Sequence, residues 1–581
     1  MDGFLFLAGP RAVGDEPALL KTLAPAGWRV ARTTADALLL ARDRTLVRDL
    51  GRAIVVGELF VRGSGRPAAL ALPPWPDDGD FAALCTEFLQ TYWGRYALIA
   101  THQGAVLRDP SGAMDCLVWE SAWGWAAGSD LPEGLPPRAA PLDLAIDWPA
   151  LARGALAGAG SIGLVGVTSV MPGALWTGRD RAQQSIWRPS VFARDPHGSY
   201  AAAREAVRAV VDEVLSAELS SGAPILAEIS GGLDSGIVST TLARLGGGGQ
   251  DTVFINLHAA DPASDERRFA RAIADKAGLR LLEREKPELT LDEDALDRLP
   301  IGVRPSVNGF DHHYDRGMAS EAQAVGAERI LTGQGGDIVF FQSPSPAVAA
   351  ELWGRWRRHP RADPAWRQLE AAARWNRRSV WSLLGEAVRE AWRPALAVEA
   401  ADHPWLTEPV APAKRRQIRS LIRAQLFHGA SLRGRAAQLV HPLLHQPVQE
   451  AVLATPVIDL ARGGQGRGLA RDAFADQLPE LVRTRRSKGD LTAYYGRMIL
   501  RSLPTLRGYL LDGRLADQGV LDRAEAEAML DPDQLIHVGD YPRLFEVLAL
   551  EAFVRHWEAR AAACADGGRA RRSASHGKTV A

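Results

Sequence analysis

The chain has 581 residues, with 68 Lys+Arg against 69 Asp+Glu and a formal net charge of −1. Its composition, 46% hydrophobic and 24% charged, is that of an ordinary soluble protein and excludes disorder as the main state. At roughly 150 residues per domain the length allows three or four units, which large α/β units reduce to two, and the near-neutral charge excludes a duplex-coating nucleic-acid binder, which needs a field of one sign.

Taken in chain order, the first residues carry Asp2 where a signal peptide needs positive charge, and the apolar run 4–7 is too short for one; it reads as a first strand. Short apolar runs follow at 37–40, 53–61, 96–100, 105–107 and 123–127, separated by Gly, Pro and Asp turns, so that residues 1–190 read as a β-rich domain. The uncharged stretch 154–178 is long enough to cross a membrane, but its glycines, hydroxyls and Pro172 predict a buried loop or strand pair. The cysteines, Cys85, Cys116 and Cys564, lie far apart without CxxC spacing, which argues against a disulfide framework or cysteine zinc site and fits a reducing cytoplasm.

From residue 200 the period changes. A helix over 201–219, a strand over 224–229, a helix over 235–245, a strand over 252–257, a helix over 266–277 and a strand over 280–282 predict a parallel sheet with helices on both faces. Beyond residue 347 the pattern is helical, and this second domain runs over 200–558; residues 559–581, without periodicity, are expected to fray.

The most informative residues are Ser230-Gly231-Gly232-Leu233-Asp234-Ser235, between a predicted strand and a predicted helix. Consecutive small residues let backbone N–H groups turn inward as an anion nest, and the helix adds its positive end, which together make a phosphate cradle. GxxxxGK[ST] is absent here, and Asp234 beside a phosphate site makes sense as a Mg²⁺ ligand. A second loop, Thr332-Gly333-Gln334-Gly335-Gly336-Asp337, also follows an apolar run and also presents an acid. Two such loops at the carboxyl ends of parallel strands face one crevice, with Asp234 and Asp337 as paired Mg²⁺ ligands. A basic loop, Arg483 to Asp490, contains Lys488 next to Gly489, where a compact ammonium can approach a polyphosphate.

These motifs resemble the asparagine synthetase superfamily. The matching pieces, in order, are the SGGLDS loop, Ser264-Asp265-Glu266, the TGQGGD loop, His441-Pro442-Leu443-Leu444, Gly468-Leu469-Ala470-Arg471, and Ser487-Lys488-Gly489. The resemblance implies an α/β protein with an N-terminal Ntn-glutaminase-like αββα domain, here degenerate, and a C-terminal PP-loop ATP pyrophosphatase domain with helical additions that activates a carboxylate as an acyl-adenylate. It implies that Ser230, Gly231, Gly232, Asp234 and Ser235 hold pyrophosphate, that Asp234 and Asp337 hold Mg²⁺, that Leu257, Thr332 and Gly333 lie near the adenosine of ATP, and that Lys488 meets the α-phosphate and the acyl transition state. His441 and His445, four apart, suit one face of a helix, but they lack the HExxH glutamate and read as packing.

The departures narrow the reading. Glutamine-using members carry a nucleophilic cysteine directly after Met1; here it is Asp2, and a carboxylate cannot replace a thiolate. Val56-Gly57-Glu58 resembles the family's NGE segment with Val56 in place of the Asn that helps stabilise the oxyanion. The amine is then expected from free ammonia or, better, from the substrate itself, where tethering supplies a high effective concentration. Gln334 stands where the β-lactam synthetases have Tyr and the asparagine type has Glu, and an amide does no proton transfer at neutral pH. The GQGGD form and Phe340-Phe341 look closest to the lasso peptide cyclases, which close a macrolactam between a peptide N-terminus and an Asp or Glu side chain. The expected partners are a leader-cleaved precursor peptide and a leader peptidase or leader-binding protein, with no nucleic acid and no membrane. The alternatives are a β-lactam or other small-molecule amide synthetase, a glutamine-independent asparagine synthetase, and a scaffold that binds without turnover.

Gln334, His312 and His313 are the candidates for the acceptor side, the histidines as base for the attacking amine, against a plain polar loop. Between residues 351 and 394, Trp353, Trp356, Trp366, Trp375, Trp381 and Trp392 are interspersed with arginines. Such groups anchor partner chains and suit an acidic leader; the competing reading is core Trp and solvated Arg.

Overall fold

The structure, a computed structural model, describes residues 3–576 except 70–71, 77–79, 102–103, 154–161, 195, 250, 260–263, 287–289, 300, 359–363, 393–402, 486–491 and 538–540. In the N-terminal part, strand alternation with both faces buried builds two facing antiparallel sheets. The first sheet runs in the order Val167–Ser169, Leu117–Ser121, Gly124–Gly128, Phe4–Ala8, Ala37–Arg42, Trp28–Thr33. The second runs Ala182–Ser185, Ala174–Thr177, Ala105–Arg108, Tyr92–Ala100, Ala53–Val61, Val47–Asp49. Phe4 and Phe6 point between the sheets against Ile54, Val56, Ile99 and Val106. Leu5 and Leu7, out of phase by one residue, face the opposite side with Leu19 and Leu23 of the helix Glu16–Leu23. The uncharged stretch contributes Val167–Ser169 to the first sheet and Ala174–Thr177 to the second, so these strands do not pair with each other; residues 154–161 lie outside the described residues.

The second sheet's outer face is covered by Cys85, Phe88 and Leu89 of helix Phe81–Thr91 and by Val207, Val211 and Val214 of helix Tyr200–Ser220. That helix opens the C-terminal part, with Ser199 capping it through the Ala202 N–H at 3.1 Å. Next comes a five-stranded parallel sheet in the order Leu281–Lys286, Thr252–Ala259, Ile225–Glu228, Arg329–Leu331, Gln438–Val440. The chain starts in the middle, builds one side, then crosses to the other, so strand order reverses between Ile225–Glu228 and Arg329–Leu331. Open α/β sheets hold ligands outside the carboxyl ends of the strands at such a reversal. Helices complete the chain, and among the described residues none is long and apolar enough to cross a membrane.

The last helix, Tyr541–His576, continues past residue 559, and Arg560 donates to the carbonyls of Leu131 and Pro132 at 3.0 and 3.1 Å. One expectation is corrected: His441 and His445 do not share a helix. His441 follows strand Gln438–Val440, and His445 stands before helix Gln446–Leu453 with extended backbone. Both are buried, as packing requires.

The two parts are joined by a buried ion cluster. Arg95 of the second sheet donates to Glu218 of helix Tyr200–Ser220 at 2.6 Å and pairs with Glu58; Arg329, at the head of a parallel strand, pairs with both carboxylates. His445 Nε2 lies 3.1 Å from Arg95, and Gln438 donates to Glu58 at 3.2 Å. Burial opposes the charge on Glu218, but Arg95 and Arg329 outweigh it and hold its carboxyl well below the usual range. Removing one member of such a cluster leaves a buried charge uncompensated, so Glu218→Gln is expected to lower unfolding free energy by about 3–5 kcal/mol in chemical denaturation. A loss under about 1 kcal/mol would show that the cluster does not hold the parts together.

Candidate active site

The Gly-rich loop leaves strand Ile225–Glu228 and runs directly into helix Leu233–Leu242, with Gly232 at the N-cap. Gly231 has φ +88°, and a Cβ there would lie 2.9 Å from the Glu266 carbonyl oxygen, so both backbone angle and space demand glycine. The two serines of the motif pin the turn: Ser230 N–H donates to Ser235 Oγ at 3.1 Å, the hydroxyls lie 3.0 Å apart, and Gly232 N–H approaches Ser230 Oγ at 3.4 Å. The result is a preorganised run of small residues at the start of a ten-residue helix, where an anion is favoured.

The second loop leaves the neighbouring strand Arg329–Leu331 and packs against the first. A Cβ on Gly333 would lie 2.3 Å from Ser235 N, and one on Gly336 would lie 2.5 Å from Asp234 Cγ. Asp337, the next residue, is exposed in the first turn of the short helix Gly336–Val339. The two loops are in direct contact, with Asp234 against Gly336, the residue before Asp337. Gly335 has φ +87° and sits over Leu444, which explains why the His441-Pro442-Leu443-Leu444 segment belongs to the same constellation.

Thr332 is fully buried and its hydroxyl lies 2.8 Å from His441 Nδ1, while His441 Nε2 lies 3.1 Å from the Phe427 carbonyl. His441 therefore orients the loop from behind, and burial pushes its pKa down to about 3. The Thr332 hydroxyl also accepts from the Gln334 N–H at 3.2 Å, and Gln334 Oε1 is buried without a hydrogen-bond partner among the described residues. Leu257 turns its half-buried side chain toward Gly317 in helix His312–Ala324.

His312 and His313 open that helix, capped by Asp311, whose carboxylate accepts from Lys286 Nζ at 2.7 Å and from Tyr495 OH at 3.3 Å. Lys286 ends an edge strand of the parallel sheet, which puts the two histidines at the crevice end of that sheet. Burial, aided by Arg316, lowers the pKa of His312; burial and His312 lower that of His313. Both are neutral at neutral pH. Lys488 and its neighbours Ser487 and Gly489 lie outside the described residues, as does Asp2.

Arg467 and Lys286 had no signal in the sequence, whereas Arg485 and Glu266 lie in segments that the sequence singles out. Arg467 donates to Asp234 Oδ2 at 2.5 Å across 233 positions. It holds φ +61°, and its N–H reaches the carbonyl of Phe341, itself at φ +60°, at 3.3 Å. Non-glycine residues in the left-handed region are strained and collect at functional sites. Arg485 pairs with Glu266 beside Gly231, and Lys286 lies 4.1 Å from the Tyr494 ring centre, with Tyr494 and Tyr495 both donating to Asp311.

Among the described residues no group of three or more His, Cys, Asp or Glu side chains forms a metal cage. Two carboxylates beside a phosphate cradle nevertheless suit Mg²⁺, which keeps several waters and binds through one or two carboxylates plus substrate phosphates. Arg467 neutralises Asp234 when no cation does so. In the N-terminal part, burial raises the thiol pKa of Cys85 and pushes that of Cys116 up to about 12, so neither is a ready nucleophile.

Two outcomes are expected. Gly333→Ala drives a Cβ into the backbone of the other loop and should cut ATP turnover by about 100-fold or more while the far-ultraviolet spectrum stays that of the folded chain; unchanged turnover would show that the loops need not touch. His403 and His441, both pushed down to about 3 chiefly by burial, resist a proton that the unfolded chain takes up near 6.5. Their contribution to stability is whole above pH 6.5 and falls as pH drops towards 3, so the melting temperature should decline over that range, less steeply in His441→Gln; a flat profile would contradict buried neutral histidines.

Residues 206–555 match the family model described as asparagine synthase. No curated protein matches the chain.

Proposed function

The chain belongs to the asparagine synthase family, whose members form amide bonds at the expense of ATP, and from that premise we propose that it is a lasso-type macrolactam synthetase. One observation supports an amine that does not come from glutamine: Glu58, in the segment that resembles the family's NGE segment with Val56 in place of the amide, is committed to Arg95 and Arg329 in the interdomain ion cluster. With Asp2 at the nucleophile position as well, the N-terminal part acts as a scaffold and the amine belongs to the substrate.

In this reading a side-chain carboxylate of an Asp or Glu in a precursor peptide attacks the α-phosphorus of ATP. The bond to the bridging oxygen breaks and pyrophosphate leaves against the turn of Ser230, Gly231, Gly232 and Ser235, where the start of helix Leu233–Leu242 favours the growing negative charge. Mg²⁺ on Asp234 and Asp337 supplies neutralisation of the phosphate charge when bound. The peptide's own N-terminal amine then attacks the acyl carbon, AMP departs with the bonding pair, and the amine proton passes to the neutral His312 or His313. Gln334 Oε1 offers the incoming amine an acceptor without competing for its proton. Lys488 stabilises the charge that develops on the acyl and phosphate oxygens. A β-lactam or asparagine-type reaction would need a proton-transferring side chain where Gln334 stands.

The reading is tested by mass spectrometry of peptides bearing an internal Asp or Glu and a free N-terminus, incubated with the protein, ATP, Mg²⁺ and the leader peptidase. Loss of one water without glutamine is expected, and Lys488→Ala should slow it by about 100-fold or more. Condensation only of small acids, or only with added ammonia or glutamine, would move the protein to another branch of the family.

A further inference from the structure

The helices between residues 347 and 392 lie beside the crevice. Helix Pro364–Trp375 abuts the loop that carries Arg467: Gly464 has φ +63°, and a Cβ there would lie 2.3 Å from the Ala371 carbonyl oxygen. The neighbouring helix Val380–Trp392 turns Leu383, Leu384 and Ala387 into the core. On its other side Trp381 is 70% exposed and Val388 50% exposed. Between them, at the spacing that puts all three on one helical stripe, Gly385 has open space over its Cα. Trp381 rests beside Trp366 of the adjoining helix, ring centroids 6.3 Å apart. The stripe is thus a ridge, a notch and a ridge, apolar and solvent-facing.

Its surroundings are basic. Arg374, Arg377, Arg378 and Arg389 are exposed around it. Of the acids on these two helices whose side chains are described, Glu370 accepts from Trp366 Nε1 at 2.9 Å and Glu386 pairs with Arg378 at 3.1 Å. Arg374 and Arg377 form no ion pair among the described residues. Exposed tryptophan ringed by guanidiniums is the composition of an interface anchor, and uncompensated positive charge selects carboxylates.

We propose that the Trp381, Gly385, Val388 stripe docks an acidic segment of the substrate peptide, one that lies outside the residues entering the crevice and carries a large apolar side chain for the notch. This rests on the peptide substrate proposed above. The docked segment raises the local concentration of the reacting end at the crevice, and its contact with helix Pro364–Trp375 places it one element away from the Arg467 loop.

The test uses the full chain and a dye-labelled synthetic peptide of alternating Glu and Leu, followed by fluorescence anisotropy without ATP. Binding is expected to weaken at least about tenfold in Trp381→Ala and again in Arg374→Glu, and to weaken with added salt, while a Lys and Leu peptide of equal length does not bind. Trp381 is exposed, so its replacement should leave the melting temperature unchanged; Val388→Ser is the second variant. Equal binding by Trp381→Ala, or by the Lys peptide, overturns the proposal. So does a Trp381-dependent dimer in sedimentation, or Trp381-dependent capture on phosphatidylserine vesicles, since another occupant then covers the stripe. If the Glu and Leu peptide binds through Trp381 but no peptide is ever condensed, the macrolactam reading fails and the docking of an acidic segment stands.

Discussion

Two backbone loops approach so closely that neither tolerates a β-carbon at the contact, and the rest of the site is arranged around that approach. Gly333 lies against Ser235 and Gly336 against Asp234. Each loop ends a parallel strand and begins a helix, so the sheet sets their separation and the reversal of strand order sets which pair of strands is adjacent. The remaining pieces act as supports. Leu444 fills the space under Gly335, His441 holds the Thr332 hydroxyl, and the Ser230 and Ser235 hydroxyls lock the phosphate turn. Preorganised donors of this kind require no reorganisation when charge develops on a leaving group.

The ion cluster of Glu58, Arg95, Glu218 and Arg329 gives the N-terminal part a structural role. Arg329 begins the strand that delivers Thr332 and Gly333, so a residue of the N-terminal part is bonded to the base of a catalytic loop. Buried charges are costly unless every partner is present. Each carboxylate and guanidinium of the cluster is therefore needed to hold the N-terminal part against the parallel sheet.

Much of the architecture was legible because it is local. Strand Ala53–Val61 and helix Tyr200–Ser220 follow from hydrophobic period alone, and both glycine loops from the residues a phosphate turn needs. Strand Leu281–Lys286 was legible only at its start, since Glu283, Arg284 and Glu285 break the apolar pattern on an edge strand. The last helix was hidden by its weak periodicity past residue 559, where Arg560 bonds to distant carbonyls. Arg467 and the ion cluster were illegible for another reason: Asp234 and Arg467 meet across 233 positions, and Glu58, Arg95, Glu218 and Arg329 each look like an ordinary surface charge until the fold brings them together.

The central claim is that the interlocked loops bind ATP so as to break it between the α and β phosphates. Phosphorus NMR of the full chain turning over Mg²⁺-ATP with an acidic peptide reads this directly. AMP and pyrophosphate, formed together and lost together in Asp234→Asn, are the expected products. ADP and orthophosphate would mean that the Ser230 to Ser235 turn cradles a different phosphate and that no acyl-adenylate is made.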